Sequence, residues 1–466
     1  MTLNRPVFFI TVLAGFLPAA NVQIARGQAA AAPTNSSPAP AAIAPLSWPP
    51  TLDVQNTTTV SVDGRKIERF IHGGRPEWGY PANAAWPYPP LEKFESTMQN
   101  NNCFYLVSPK VPRDNAPLCV VLHSANRSGF DYMHYSSLTP GMTPANPSKA
   151  ITDSPDDFYA LYLNSTNDEW WGWHQAQASA DFAKHVNTPS PAERRMLDTI
   201  EWVVQRYHID RNRIYLTGMS MGGCGTLGIG LAHGDIFAAA LTSAPAGTEY
   251  AAYRTNDFKF GAGEADPPVM VDFSSPPDGW SATQPALLQA AQTLHLPLVL
   301  SWGPFGHVGD KSLIAKYPIC AVTLAFPYQE IRKNEAYPVF THASTDQVSP
   351  WLNAPAKFDE SGQINAWFRW KDETDTPDQF TMQVSIAHPA HIDPALKLPD
   401  TATADVTLRR LQQFKIQPAK SYSWQETRAG QVVASGKVMP DAANLLTIPQ
   451  VTLGTTPADL SLRADQ

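Results

Sequence analysis

Ile214-Tyr215-Leu216-Thr217-Gly218-Met219-Ser220-Met221-Gly222-Gly223 is an apolar run that ends in Gly-x-Ser-x-Gly and leads into a segment of small residues. The run reads as a buried strand. The small-residue segment, carrying Cys224, Gly225, Thr226, Gly228 and Gly230, has low intrinsic helix propensity, so it would form a helix only where small residues let it lie close on a sheet. A serine on the tight turn between the two sits at strained backbone angles, and side chains two positions on either side would collide with the strand and the helix. Gly218 and Gly222 remove those side chains. The N-terminus of the helix points partial positive charge at Ser220, where an oxyanion would develop.

A serine nucleophile needs a base and an orienting acid, which come after this motif in the order Ser, Asp or Glu, His. Pro268 to Phe273 reads as a buried strand and opens into the turn Ser274-Ser275-Pro276-Pro277-Asp278-Gly279-Trp280. Thr283 to Leu294 has helical periodicity, Leu296 to Trp302 is a second apolar strand, and His307 lies in the loop after it. Asp278 and His307 are therefore the expected acid and base. Asp272, inside the apolar run, competes for the acid and reads equally as a buried carboxylate satisfied by backbone donors. The histidines His123, His174, His295 and His342 read as structural or substrate-contacting. The oxyanion needs two backbone donors: Met221 after the nucleophile, and Ser124 or Ala125 in the polar turn after Leu118 to Leu122.

These residues resemble an alpha/beta-hydrolase of the esterase D, feruloyl esterase and polyhydroxybutyrate-depolymerase type. The likeness rests on the Leu122-His123 turn, the Asp210 to Tyr215 approach, Gly218 to Gly223, and the Trp302 to His307 ending, and it runs from about Pro117 to Asp310. It implies an α/β fold, a mostly parallel sheet flanked by helices, and hydrolysis of carboxylic esters by the serine without metal or other cofactor. It does not choose the ester. A serine peptidase with the same triad and a non-catalytic binding protein on a hydrolase scaffold are the rival readings.

Arg5 ahead of the apolar run Val7 to Leu17 reads as a signal peptide over residues 1–28, with an Ala/Pro-rich linker over 29–50. The run is too short to span a bilayer, so export to the periplasm or the extracellular space without a stable membrane anchor is expected. The rest divides into a catalytic region over 51–355 and, from 356 to 466, a run of short strand-like segments that suggests a small β-sandwich accessory domain. Thr58 to Val62 and Cys103 to Val107 look like antiparallel strands that open the main sheet, and Ile71 to Pro90 reads as a long loop. Ser190-Pro191-Ala192-Glu193 starts a helix with a capping box, and Met196, Leu197, Ile200, Val203, Val204 and Tyr207 form its apolar stripe.

A net charge of −8 without long like-charge blocks gives no sign of nucleic-acid binding. Cys103, Cys119, Cys224 and Cys320 are too few for a disulfide scaffold; Cys119 and Cys224 read as buried thiols, and a Cys103–Cys119 bridge is a candidate. Trp170, Trp171 and Trp173 beside a strand end, with Trp280 and Trp302 flanking the acid and base, are candidate substrate walls whose alternative is core packing. Trp367, Trp370 and Trp424 are the corresponding candidates in the tail. An exported, tryptophan-lined esterase fits feruloylated or acetylated plant polysaccharide, or a polyester.

Overall fold

Asp63 and Gly64, both at positive φ (48° and 76°), make the two-residue turn that joins Val54–Val62 (β1) to Arg65–His72 (β2) as a hairpin. The structure is a computed structural model and describes residues 54–72, 103–135, 150–165, 170, 191–245, 265–352, 359–388 and 397–465. The signal-peptide and linker readings, Trp171 and Trp173 lie outside the described residues, as does nearly all of the 71–90 loop. Ile71 itself belongs to β2.

The elements that build the catalytic part run in order: Cys103–Val107 (β3), Leu118–Leu122 (β4), Gly129–Tyr135 (α1), Tyr159–Leu163 (β5), Pro191–Tyr207 (α2) and Ile214–Met219 (β6). Next come Met221–Ala232 (α3), Ala239–Ser243 (β7), Val269–Ser274 (β8), Gln284–Leu294 (α4), Leu298–Trp302 (β9), Lys311–Ile314 (α5) and Pro318–Leu324 (α6). The remaining chain forms Tyr337–Thr341 (β10), Gly362–Ile364 (β11), Phe368–Asp375 (β12), Gln379–Ile386 (β13) and Thr401–Arg409 (β14). Tyr422–Arg428 (β15), Gln431–Val438 (β16), Thr447–Gly454 (β17) and Ala458–Ala464 (β18) complete it.

The main sheet runs β1-β2-β3-β5-β4-β6-β7-β8-β9-β11. From β5 and β4 through β9 all neighbours are parallel, while β1, β2, β3 and β11 pair antiparallel at the two ends. The exchange of β4 and β5, with β6 to β9 added in order and a helix after β6, is the α/β-hydrolase arrangement. Buried on both faces, the central strands read as unbroken apolar runs. Leu118, Val120 and Leu122 pack on the face covered by α2, whose Met196, Leu197, Ile200, Val203 and Val204 join that core, whereas Cys119 and Val121 point to the opposite face.

All four cysteines are buried and free, so the Cys103–Cys119 bridge does not form. β5 lies between β3 and β4, and Ala160 pairs with both Val107 and Cys119, which puts Cys119 a strand away and level with the far end of β3. Burial pushes the Cys119 and Cys320 thiols up to about 12 and raises Cys103 as well.

Strand exchange crosses residue 356 in both directions. β10 leaves the catalytic region to make a three-stranded sheet with β14 and β17, and β11 returns from the tail to pair with β9. The other tail strands form a five-stranded antiparallel sheet, β12-β13-β18-β15-β16. One apolar core runs on from the main sheet through Tyr337, Phe340 and Phe368 into Phe380, Val406 and Leu462. Arg409, at the end of β14, reaches Asp266 at 2.7 Å and the Leu294 and His295 carbonyls, and Arg410 reaches the Ala238 carbonyl at 3.1 Å. Residues 48–466 accordingly make one unit, because the tail shares its core and its buried charges with the catalytic sheet.

Candidate active site

Ser220 stands at φ 58° and ψ −120°, between the end of β6 and the first residue of α3. A side chain there at positive φ is strained, and the packing of the two flanking glycines holds it. A Cβ on Gly218 would lie 2.3 Å from the Gly222 carbonyl oxygen, and one on Gly222 would lie 2.1 Å from that of Leu122. The turn is further fixed by Ser220 N–H donating to the Ser243 carbonyl at 3.0 Å and by Thr226 Oγ1 donating to the Gly222 carbonyl at 2.8 Å.

The loops after β8 and β9 bring the acid and the base to this serine. His307 Nε2 is 2.8 Å from Ser220 Oγ, and His307 Nδ1 is 2.6 Å from Asp278 Oδ2. A carboxylate only accepts, so Nδ1 carries the ring proton and donates it, which leaves Nε2 to accept from the serine hydroxyl. Asp278 is nearly buried at 6 % exposure, while the His307 side chain keeps 33 %. Trp280 N–H donates to the other carboxyl oxygen of Asp278 at 3.1 Å. The hydroxyl therefore has an acceptor aligned to take its proton, and the imidazole has a fixed anionic partner.

Asp272 is also buried but takes no part in this line. It faces Ser274 Oγ at 3.0 Å and the side-chain amide of Gln284, and burial pushes its carboxyl up to about 7. His295 bonds Thr407 on the tail sheet, and His342 bonds Asp405; both are structural. His174 lies outside the described residues.

On the oxyanion side, Met221 begins α3, so its N–H is one that the helix itself does not use. Opposite, the turn after β4 is pinned at several points. Ser124 Oγ donates to the Met219 carbonyl at 3.1 Å and meets the Tyr132 hydroxyl. His123 Nε2 accepts from Ser165 N–H at 2.8 Å, so its Nδ1–H donates to the Ser124 carbonyl, also at 2.8 Å. That bond orients the peptide joining Ser124 to Ala125. Both residues are partly exposed, and the close seat of Gly222 on the Leu122 and His123 carbonyls puts their turn beside the start of α3.

The tryptophans divide. Trp280, next to the acid, is 57 % exposed. Trp302 is not a substrate wall: it is 2 % exposed, packed against Trp351 and covered by β11 at Gly362. Trp170 is likewise fully buried, with Arg195 over its ring and His123 against its edge. Trp367 and Trp424 are buried in the tail, and Trp370 packs on Phe326 and Phe340. Sequence reading passed over three hydroxyls that brace the site, on Ser243, Ser275 and Ser281; serines outside any periodic pattern leave no signal. Among the described residues there is no cluster of side chains able to hold a metal ion.

Residues 194–268 match the prolyl oligopeptidase family model, a short part of the chain that contains Ser220 and stops before Asp278 and His307. No curated protein matches the sequence. Among solved structures, a thermostable esterase is 21% identical over 43% of this chain and half (50%) of its own length, with a TM-score of 0.31. A fluorophosphonate-binding serine hydrolase of Staphylococcus aureus is 15% identical over 48% of this chain and 92% of its own, at 0.35. An acetyl xylan esterase from Aspergillus awamori is 13% identical over 38% and 68%, at 0.26. The fold assignment stands on the strand order and the turn at Ser220: the chain has an α/β-hydrolase fold with the site of a serine hydrolase.

Proposed function

We propose that the protein is an exported serine esterase. Ser220 Oγ attacks the ester carbonyl as His307 Nε2 takes its proton, and the tetrahedral oxyanion is held by the N–H groups of Met221 and of Ser124 or Ala125. His307 returns the proton to the leaving alcohol, and an acyl-serine remains. Water then repeats the attack with His307 as base, which releases the acid and restores Ser220. Asp278 holds the imidazole and stabilises its charged form. The observation that carries the reading is the hydrogen-bonded line from Ser220 through His307 to Asp278, at 2.8 and 2.6 Å.

Trp280 supports a substrate with a flat apolar face, because an exposed indole beside the acid offers broad contact area at little cost in entropy. Of the expected substrates, feruloyl esters on a polysaccharide and aromatic polyesters have that character. Export is supported by Arg5 and the apolar run Val7 to Leu17. The test is release of p-nitrophenol from acetate, butyrate and octanoate esters, alongside hydrolysis of methyl ferulate, by wild type and by Ser220→Ala. Wild-type turnover that vanishes in the variant is expected, and full activity in Ser220→Ala would refute the mechanism.

The prolyl oligopeptidase match over residues 194–268 favours a second reading, in which the same triad cleaves a peptide bond. Acyl transfer does not itself distinguish amide from ester. An anilide cleaved as efficiently as the ester of the same acyl group would favour the peptidase.

A further inference from the structure

We propose that Ser275 is a positioning residue that locks the loop of the base to the loop of the acid. The inference rests on the triad reading of Ser220, Asp278 and His307. Acid and base arise from separate loops, after β8 and after β9, so the 2.6 Å contact between them requires the two loops to be held in register. Ser275, fully buried, touches both. Its hydroxyl donates to the Gly303 carbonyl at 2.8 Å and accepts from Gly306 N–H at 2.8 Å, which ties down both ends of the turn that leads into His307. Its own carbonyl accepts from Asp278 N–H at 2.9 Å and from Ser281 Oγ at 2.8 Å. One residue thus holds the acid loop through its backbone and the base loop through its side chain.

Gly306 has φ +74°, and in that conformation its N–H meets the Ser275 hydroxyl. Beyond His307 the loop is held again, by Ser243 Oγ donating to the Val308 carbonyl at 3.0 Å. His307 is therefore bracketed by two serine hydroxyls, one from the end of β7 and one from just after β8. The acid does not depend on the Ser275 hydroxyl, since Ser281 Oγ also binds the Asp278 carbonyl at 2.7 Å and is capped by Trp351 Nε1 at 2.9 Å. Removing that hydroxyl alone frees the approach to the base while leaving the acid loop closed on itself.

The experiment compares wild type with Ser275→Ala and with Ser275→Cys, which restores a weak donor at nearly the same volume. The resting enzymes are examined by proton NMR in the cold for the low-field resonance of the His307–Asp278 hydrogen bond, and then for kcat and KM on p-nitrophenyl butyrate. In Ser275→Ala, which loses both hydrogen bonds of the hydroxyl, the low-field resonance broadens or moves upfield and kcat falls about tenfold. KM stays within about twofold, because nothing that binds substrate has changed. Ser275→Cys falls between the two. Wild-type kcat and an unaltered resonance in Ser275→Ala would overturn the proposal whatever that variant's melting temperature, and so would a wild-type protein that lacks the resonance. The resonance needs no turnover: if it is present in wild type and lost in Ser275→Ala while no ester is hydrolysed, the lock stands and the esterase reading fails.

Discussion

Gly222→Ala puts a methyl group where the structure has least room for one. The added carbon would lie 2.1 Å from the Leu122 carbonyl oxygen, 2.7 Å from its carbon and 2.9 Å from the His123 carbonyl oxygen, all of them backbone. Ordinary contact begins at 3.4 Å, so the start of α3 must retreat about 1.3 Å from the end of β4. Neither side yields cheaply, because Leu122 is paired with Gly218 in the parallel sheet and the helix is buried along its length. Overpacking of this kind costs about 1–3 kcal/mol, and the rigid backbone on both sides argues for the upper end. The same shift carries the Met221 N–H out of the 2.7–3.1 Å window in which an oxyanion donor works, and a misplacement of about 1 Å costs roughly 10²-fold in rate. Gly230→Ala is the control: its new carbon meets Leu216, Ala240 and Met270 side chains at 3.5–4.0 Å, so it should be neutral or stabilise the helix by up to about 1 kcal/mol. Urea unfolding and kcat/KM on a p-nitrophenyl ester are measured for both variants. A Gly222→Ala enzyme within threefold of wild-type kcat/KM, or a Gly230→Ala protein equally damaged, would refute the reasoning.

Trp280→Ala should raise KM for aromatic esters severalfold and leave the melting temperature unchanged, whereas Trp302→Ala should lose about 3–5 kcal/mol of stability through the cavity it opens; the reverse pattern would mean that the wrong indole faces the substrate. Asp272→Asn should remove a pH dependence of stability. Burial raises the Asp272 carboxyl from 3.8 to about 7, so between those values the folded state holds a proton that the unfolded chain has released. Stability from this group therefore declines as pH rises from about 4 to about 7 and levels off above, by a few kcal/mol at most. Urea midpoints at pH 5 and pH 8 for wild type and variant check it, and parallel behaviour of the two proteins would rule it out.

What could be read from the sequence was whatever left a periodic or punctuated signal. Apolar runs marked β4, β6, β8 and β9, and a strand run into Gly-x-Ser-x-Gly marked the turn at Ser220. Asp278 could be separated from Asp272 because it lies beyond a strand rather than within one, and the structure puts only Asp278 against His307. β2 escaped because Arg65, Glu68 and Arg69 are buried there, so its charged residues imitate a solvated segment. Arg65 is satisfied by the Ser108 and Phe158 carbonyls, partners that no local pattern announces. Trp302 misled for a related reason: nearness in sequence to His307 does not say which face of β9 a side chain occupies, and its cover, β11, comes from residues 362–364. The serine hydroxyls that brace the catalytic loops depend on contacts between separate loops, and a single chain of letters does not display these.

The crossing of strands at residue 356 also orders the molecule in time. Ser220, Asp278 and His307 have all been synthesised before Gly362–Ile364 can cover β9, and Tyr337–Thr341 must wait for Thr401–Arg409 before it has a neighbour. Until then a nascent chain presents the open edge of β9, the unpaired β10 and the indole of Trp302, the surfaces through which incomplete sheets stick to one another. A message cut short after the histidine would therefore yield an adhesive intermediate in place of a smaller enzyme.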